Sequence, residues 1–201
     1  MQLRKFFSLT TLAVSALFSY SAVAVQPTVN YPLVTSIGID VSHFQQNVDW
    51  EEVKKAGITY VYSKATQGIN DVDPKYKRNR AGTHENGLHH GPYHFYVPSH
   101  DPIQQADFFI KTVQFMEKDM MPPVLDLEMI PKIEVKQYQR DVLAWLKKVE
   151  ADLKVRPIIY TYHPFGNQYL NNPEFANYHL WIAEYGVSAP KIPTAWKDKG
   201  W

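Results

Sequence analysis

From residue 36 onward, short β-branched runs alternate with stretches whose apolar positions recur at helical spacing. Residues 36–42 form the first such run, and residues 59–64 alternate Tyr and Val as a strand. Between them Asp49 is placed to cap a short helix running to Gly57, with Val53 and Ala56 on its inner side. Asp73-Pro74 predicts a helix over 74–86, with proline at the first helical position and Gly87 as its stop. Residues 90–96 read as a strand. Asp101-Pro102 then opens a helix reaching about Lys118 that buries Ala106, Phe109, Ile110 and Val113. Residues 123–128 form another strand, and 135–153 a long helix with Tyr138, Val142, Trp145 and Val149 along one stripe. Residues 157–161 and 179–184 complete the series as strands, with a short helix between them.

Strands that alternate with helices predict a parallel sheet covered by helices, an α/β fold. Such a series suits an open doubly wound sheet or most of a barrel. No G-x-G-x-x-G or phosphate-loop pattern follows the first strand. The barrel is favoured by where acids fall. Asp40, Asp126 and Glu128 sit at or near the C-terminal ends of the first and fourth strands, the rim where barrel enzymes place their chemistry. The expected fold class is therefore a TIM-like β/α barrel.

The N-terminus has a different character. Arg4 and Lys5 precede a largely apolar, uncharged stretch over 6–20, and Ala22-Val23-Ala24 supplies small residues at a cleavage site. This predicts a removable signal peptide over 1–24, a short Pro-bearing leader over 25–34, and one catalytic domain over 35–201. The apolar stretch is too short to span a bilayer, which takes about 20 residues, so no stable membrane anchor is expected. Lys and Arg total 21 against 20 Asp and Glu. Without a basic run, the chain has no electrostatic footprint for nucleic acid. It contains no cysteine, so an exported form does not depend on disulfide stapling. Aromatic residues make up 14% of the chain; their rings suit a sugar site and a packed core equally.

Asp126-Leu127-Glu128 is the informative triplet. It follows the apolar run Pro123-Val124-Leu125, and residues i and i+2 of a strand face one side about 6.6 Å apart. Two carboxylates so placed cannot both ionise cheaply, so one becomes a proton donor near neutral pH. Glycoside cleavage needs this pairing, a protonated carboxyl at the leaving oxygen and a charged one near the anomeric centre. The plain alternative is a solvated pair, or one that binds a cation. His89, His90 and His94 follow no zinc-site spacing, and neither a metal nor a cofactor is expected. Asp40 lies between apolar neighbours, where an unpaired carboxylate costs several kcal/mol; its alternative reading is an acid satisfied by backbone donors. His43 reads as a satisfied or surface histidine.

The segments GIDVSHFQQNVDW, SKATQG, GPYHFY, PPVLDLE and LWIAEYG, in this order and spacing, resemble glycoside hydrolase family 25, the N-acetylmuramidases or lysozymes of bacteria, phages and fungi. The resemblance runs from Ile37 to the C-terminus. It implies a barrel of five α/β units and three trailing strands, and cleavage of the β-1,4 bond between N-acetylmuramic acid and N-acetylglucosamine. By position Glu128 matches the general acid, Asp126 its partner on the same strand, and Asp40 the acid of the first strand. A direct nucleophile and the substrate's own acetamido group both remain open as the route. In the second, Asp126 would orient and polarise that group.

Tyr62, Tyr93 and Tyr160 are candidates to stack on sugar faces, with core packing as the equal alternative. Lys64 is expected to pair with the central acids or to snorkel to the rim. Trp181 resembles the family's tryptophan on the sixth strand. Gln67 stands where the family often has glutamate. Trp201 falls where a further strand of the family would start, so the barrel is expected to be incomplete at its C-terminal end, with a bare edge on the strand over 36–42. The expected partner is the glycan strand of peptidoglycan, in the periplasm or outside the cell, in cell wall catabolism. Two other readings stay open: a non-catalytic peptidoglycan-binding remnant, and a chitinase-like glycosidase.

Overall fold

The computed structural model describes residues 3–6 and 36–200. Its strands are β1 (Leu3–Phe6), β2 (Ser36–Val41), β3 (Tyr60–Gln67), β4 (Asp71–Val72), β5 (His89–Phe95), β6 (Val124–Asp126), β7 (Ile158–Tyr162) and β8 (His179–Ala183). Five α-helices stand among the described residues: α1 (Trp50–Lys55), α2 (Tyr76–Glu85), α3 (Pro102–Val113), α4 (Val135–Leu153) and α5 (His163–Tyr169). The strands form one sheet in the order β1-β2-β3-β5-β6-β7-β8, with β4 folded back on β3. Every pairing from β2 to β8 along that path is parallel, as short crossovers through helices dictate.

Local chemistry sets the helix ends. The Asp49 carboxylate accepts from the Glu52 backbone N–H at 3.1 Å, and that of Asp101 from Gln104 at 2.8 Å, satisfying donors the first turn leaves open. α4 closes on Lys154 in the left-handed conformation (φ 59°). α3 is shorter than its sequence pattern. It stops at Val113 because Gln114 turns to φ 68°, so the apolar residues beyond it belong to a loop. α2 also starts later than expected, at Tyr76 with Lys75 at the cap. Pro74 thus lies outside it, and the Asp73 carboxylate is engaged elsewhere.

Side-chain alternation divides the sheet into two faces. The outer face of β2 and β3 packs Ile39, Val41 and Val61 against Trp50, Val53, Ile58 and Leu88. A larger cluster joins Leu125 and Ile159 to Phe109, Tyr138, Trp145, Leu146 and Phe165 of the covering helices. On the inner face Tyr62, Val124 and Tyr160 pack with Tyr93, Ile158 and Trp181.

That inner cluster reveals the sheet's curvature. Tyr62 of β3 and Trp181 of β8 lie four strand spacings apart, about 19 Å in a flat sheet. Their ring centroids are 5.0 Å apart. The sheet is therefore a curled half-barrel, concave on its inner face, with β1 and β8 as its two ends. The strand edge expected to be bare carries β1, antiparallel to β2 with Leu3 opposite Ile39 and Phe6 opposite Ser36. The rest of the expected signal peptide, its cleavage site, the leader up to residue 35 and Trp201 lie outside the described residues. No helix among the described residues is long and apolar enough to cross a membrane.

Candidate active site

Strand register assembles the inner face row by row. Asp40 pairs with Tyr62, and Tyr62 with Gly91. One step up, Lys64, Tyr93, Val124 and Ile158 stand side by side. The next row runs Gln67, Phe95, Asp126, Tyr160 and Trp181. Asp40 and Asp126 thus share one concave surface walled by aromatic rings. Gly91 is needed there for close approach: a β-carbon on it would lie 2.2 Å from the Tyr62 ring.

A bulge between Lys64 and Thr66 changes the parity of β3. Ala65 packs into the outer core, and Thr66 follows it outward to bond His94 at 2.7 Å. Gln67 then returns to the inner face, where its Oε1 accepts a hydrogen bond from the Lys64 ammonium. That ammonium is buried and lies 5.2 Å from the centre of the Phe95 ring. Lys64 thus has the Gln67 amide oxygen as a hydrogen-bond partner.

β6 ends at Asp126, two residues earlier than the pattern suggested. Alternation nevertheless continues one step. Leu127 donates to Tyr160 O at 2.9 Å, accepts from Thr161 Oγ1 at 2.8 Å, and is buried among the outer core residues. Glu128 follows, exposed, while Asp126 stays 8% exposed at the end of β6. The two carboxylates stand in contrasting environments, Asp126 buried and Glu128 exposed.

The candidate aromatics also divide. Tyr62 and Tyr160 are buried, and burial pushes the Tyr62 hydroxyl well above the usual tyrosine range. Tyr93 and Trp181 are half-buried. Trp181 meets Tyr160 edge-on with centroids 5.1 Å apart. His90 and His94 of β5 lie off this face. His90 bonds Ser63 at 2.6 Å, and His94 is held between Thr66 and Gln105 with its ring stacked on Trp145. Burial holds both rings neutral, with pKa pushed down to about 3. Among the described residues no three His, Asp or Glu side chains gather as metal ligands would.

Two features escaped the sequence reading. Phe95 lies in the same row as Asp126, which counting by twos from Tyr93 would have found. His43 and Asp73, 30 residues apart, meet at 2.8 Å; no local signal foretells that pairing.

The model of glycosyl hydrolases family 25 matches residues 39–201, which include every one of these site positions. The chain belongs to glycosyl hydrolase family 25. Lysozyme M1 of Streptomyces globisporus is 33% identical over 172 residues, covering 78% of this chain and 57% of that protein. The uncharacterized protein YegX of Escherichia coli K12 is 39% identical over 158 residues, covering 76% of this chain and 57% of its own length. The chain thus spans little more than half of these curated family 25 relatives. Among solved structures, the bacterial lysozyme of Streptomyces coelicolor superposes with a TM-score of 0.75 at 30% identity, covering 80% of this chain and 79% of that one. A family 25 lysozyme from Aspergillus fumigatus gives the same TM-score at 28% identity, covering 80% and 82%.

Proposed function

We propose that this chain is a peptidoglycan hydrolase that cleaves the β-1,4 bond between N-acetylmuramic acid and N-acetylglucosamine. Glu128 serves as general acid, assisted by Asp126 and Asp40. The observation that carries this reading is one concave face holding Asp40 and Asp126, with Glu128 exposed at the rim two residues beyond Asp126. Relatives and structural neighbours described as lysozymes and muramidases support it.

The roles follow from environment. Glu128, open to the cleft, protonates the leaving glycosidic oxygen as the bond breaks, and the sugar develops oxocarbenium character. Asp126 and Asp40 stand below it. Asp126 is buried and Asp40 half-buried; charge on the buried carboxylate acts through little intervening water, which strengthens its stabilisation of that cation. Whether Asp126 attacks directly or polarises the substrate's acetamido group, the same placement serves. Tyr93 and Trp181, half-buried on the same face, offer ring surfaces to the sugars.

We also propose that residues 1–24, β1 among them, direct export and are removed, which opens the outer edge of β2 in the mature enzyme and places it in the periplasm or outside the cell for cell wall catabolism. The apolar stretch behind Arg4 and Lys5 supports this. The test of function is digestion of purified peptidoglycan with mass analysis of the fragments. New reducing ends on muramic acid are the expected product. Degradation of chitin oligomers alone would assign the chain to chitinase-like chemistry, and binding without any cleavage would make it a non-catalytic remnant.

A further inference from the structure

The turn that follows β2 is built more firmly than a connection requires. The Ser42 N–H donates to Gln45 Oε1 at 2.7 Å, and the Ser42 hydroxyl accepts from Phe44 N at 3.3 Å. Asp73, its side chain wholly buried, accepts from both His43 N at 2.9 Å and His43 Nδ1 at 2.8 Å. The backbone of Asp73 is in turn tied to Ala65 O of β3 at 3.0 Å. Gln46 closes the turn at φ 56°, ψ −130°, a conformation that glycine adopts without cost and a residue with a β-carbon does not. Such strain persists only where surrounding bonds over-determine the backbone.

All of this holds one side chain out into water. Phe44 is 75% exposed, the most exposed large apolar residue among those described, and its ring lies 4.1 Å from that of His43. A single exposed apolar residue is ordinary; one held by a strained turn and a buried carboxylate is not explained by folding. The turn also follows directly on the C-terminal end of β2, three and four residues beyond Asp40. His43 carries defined chemistry as well. Because the Asp73 carboxylate accepts, Nδ1 bears a proton, and Nε2 is the ring nitrogen left to meet a ligand.

We infer that this turn is a second glycan-contacting element, in which Phe44 forms a platform for a pyranose ring and His43 Nε2 hydrogen-bonds to a hydroxyl or acetamido group of the same sugar. The class of ligand rests on the peptidoglycan-hydrolase reading above. The rest follows from the turn itself: a rigid aromatic face loses little freedom on binding, and the Asp73 clamp fixes the imidazole before the sugar arrives.

The experiment measures two quantities on the full chain, KM and kcat on soluble uncross-linked peptidoglycan chains, and Kd for those chains and for the N-acetylglucosamine tetramer. Phe44→Ala touches no core residue, so its unfolding midpoint should match the parent. Its KM and Kd should rise roughly tenfold with kcat within about twofold, and Phe44→Tyr should restore both. His43→Gln should weaken binding by a smaller factor. Unchanged KM and Kd in Phe44→Ala would overturn the inference while leaving the proposed hydrolase intact. If the parent shows no turnover, the functional reading fails, and Kd alone decides this one. Weaker binding by Phe44→Ala supports it; equal binding, or no binding by the parent, overturns it.

Discussion

At the scale of single residues, the site divides into groups that the sequence reveals and groups that only folding brings together. Asp40, Asp126 and Glu128 stand out because carboxylates inside or just after apolar runs are costly unless they are used. The Lys64–Gln67 contact was not legible because a bulge moves Gln67 into reach, and bulges leave no periodic trace. The His43–Asp73 pair joins turns 30 residues apart, and no local pattern signals it. Two substitutions test this scale. Gln46→Gly relieves the left-handed strain and should stabilise the fold by about 1 kcal/mol in urea unfolding; a loss of stability would show that the turn is relaxed. Gly91→Ala drives a methyl group to 2.2 Å from the Tyr62 ring. It should lower the unfolding midpoint and shift the Tyr62–Trp181 contact that curls the sheet, whereas an unchanged midpoint would mean the row has slack.

At the scale of elements, legibility follows the strength of the apolar stripe. α4 spans 135–153 as its pattern indicates, since a long amphipathic helix repeats its signal over many turns. β4 has two exposed residues and no stripe at all; its pairing to the end of β3 is a tertiary decision. α3 ends early because Gln114 breaks the helix while apolar residues continue beyond it. The weight carried by α4 is testable. Trp145 is fully buried and stacks on His94 with centroids 5.5 Å apart. Trp145→Ala should cost about 3–5 kcal/mol by chemical denaturation. A cost under about 1 kcal/mol would mean the helix layer closes over the void.

At the scale of the whole molecule, the parallel α/β architecture was readable from alternation and a curled sheet from where the acids fall, whereas the strand laid along β2 was not. The curl depends on rings meeting across the inner face, and β1 pairs through backbone groups that no side-chain pattern encodes. Stability should respond to acid through the outer face. His90 and His94 are pushed down to about 3, chiefly by burial, while an unfolded histidine titrates near 6.5. Between those values the unfolded chain binds protons that the folded chain does not, so stability falls as pH drops below about 6.5 and stops falling near 3. From pH 7 to 5 the loss should be roughly 2 kcal/mol for each histidine, measured by urea unfolding; a flat profile would contradict the buried neutral rings. Export is a separate expectation at this scale: protein recovered outside the cytoplasm should begin at Val25, and a retained Met1 would contradict the proposed signal.

The assignment of Glu128 as general acid is the central claim, and one comparison tests it most directly. Parent and Glu128→Gln are incubated with purified peptidoglycan, and the release of muramic acid reducing ends is followed over time. The amide preserves the shape of an exposed rim side chain, so the unfolding midpoint should not move. It cannot donate a proton, so turnover should fall on the order of 10²–10⁴-fold. Release by Glu128→Gln at near the parent rate, from an enzyme that does cleave peptidoglycan, would contradict the account.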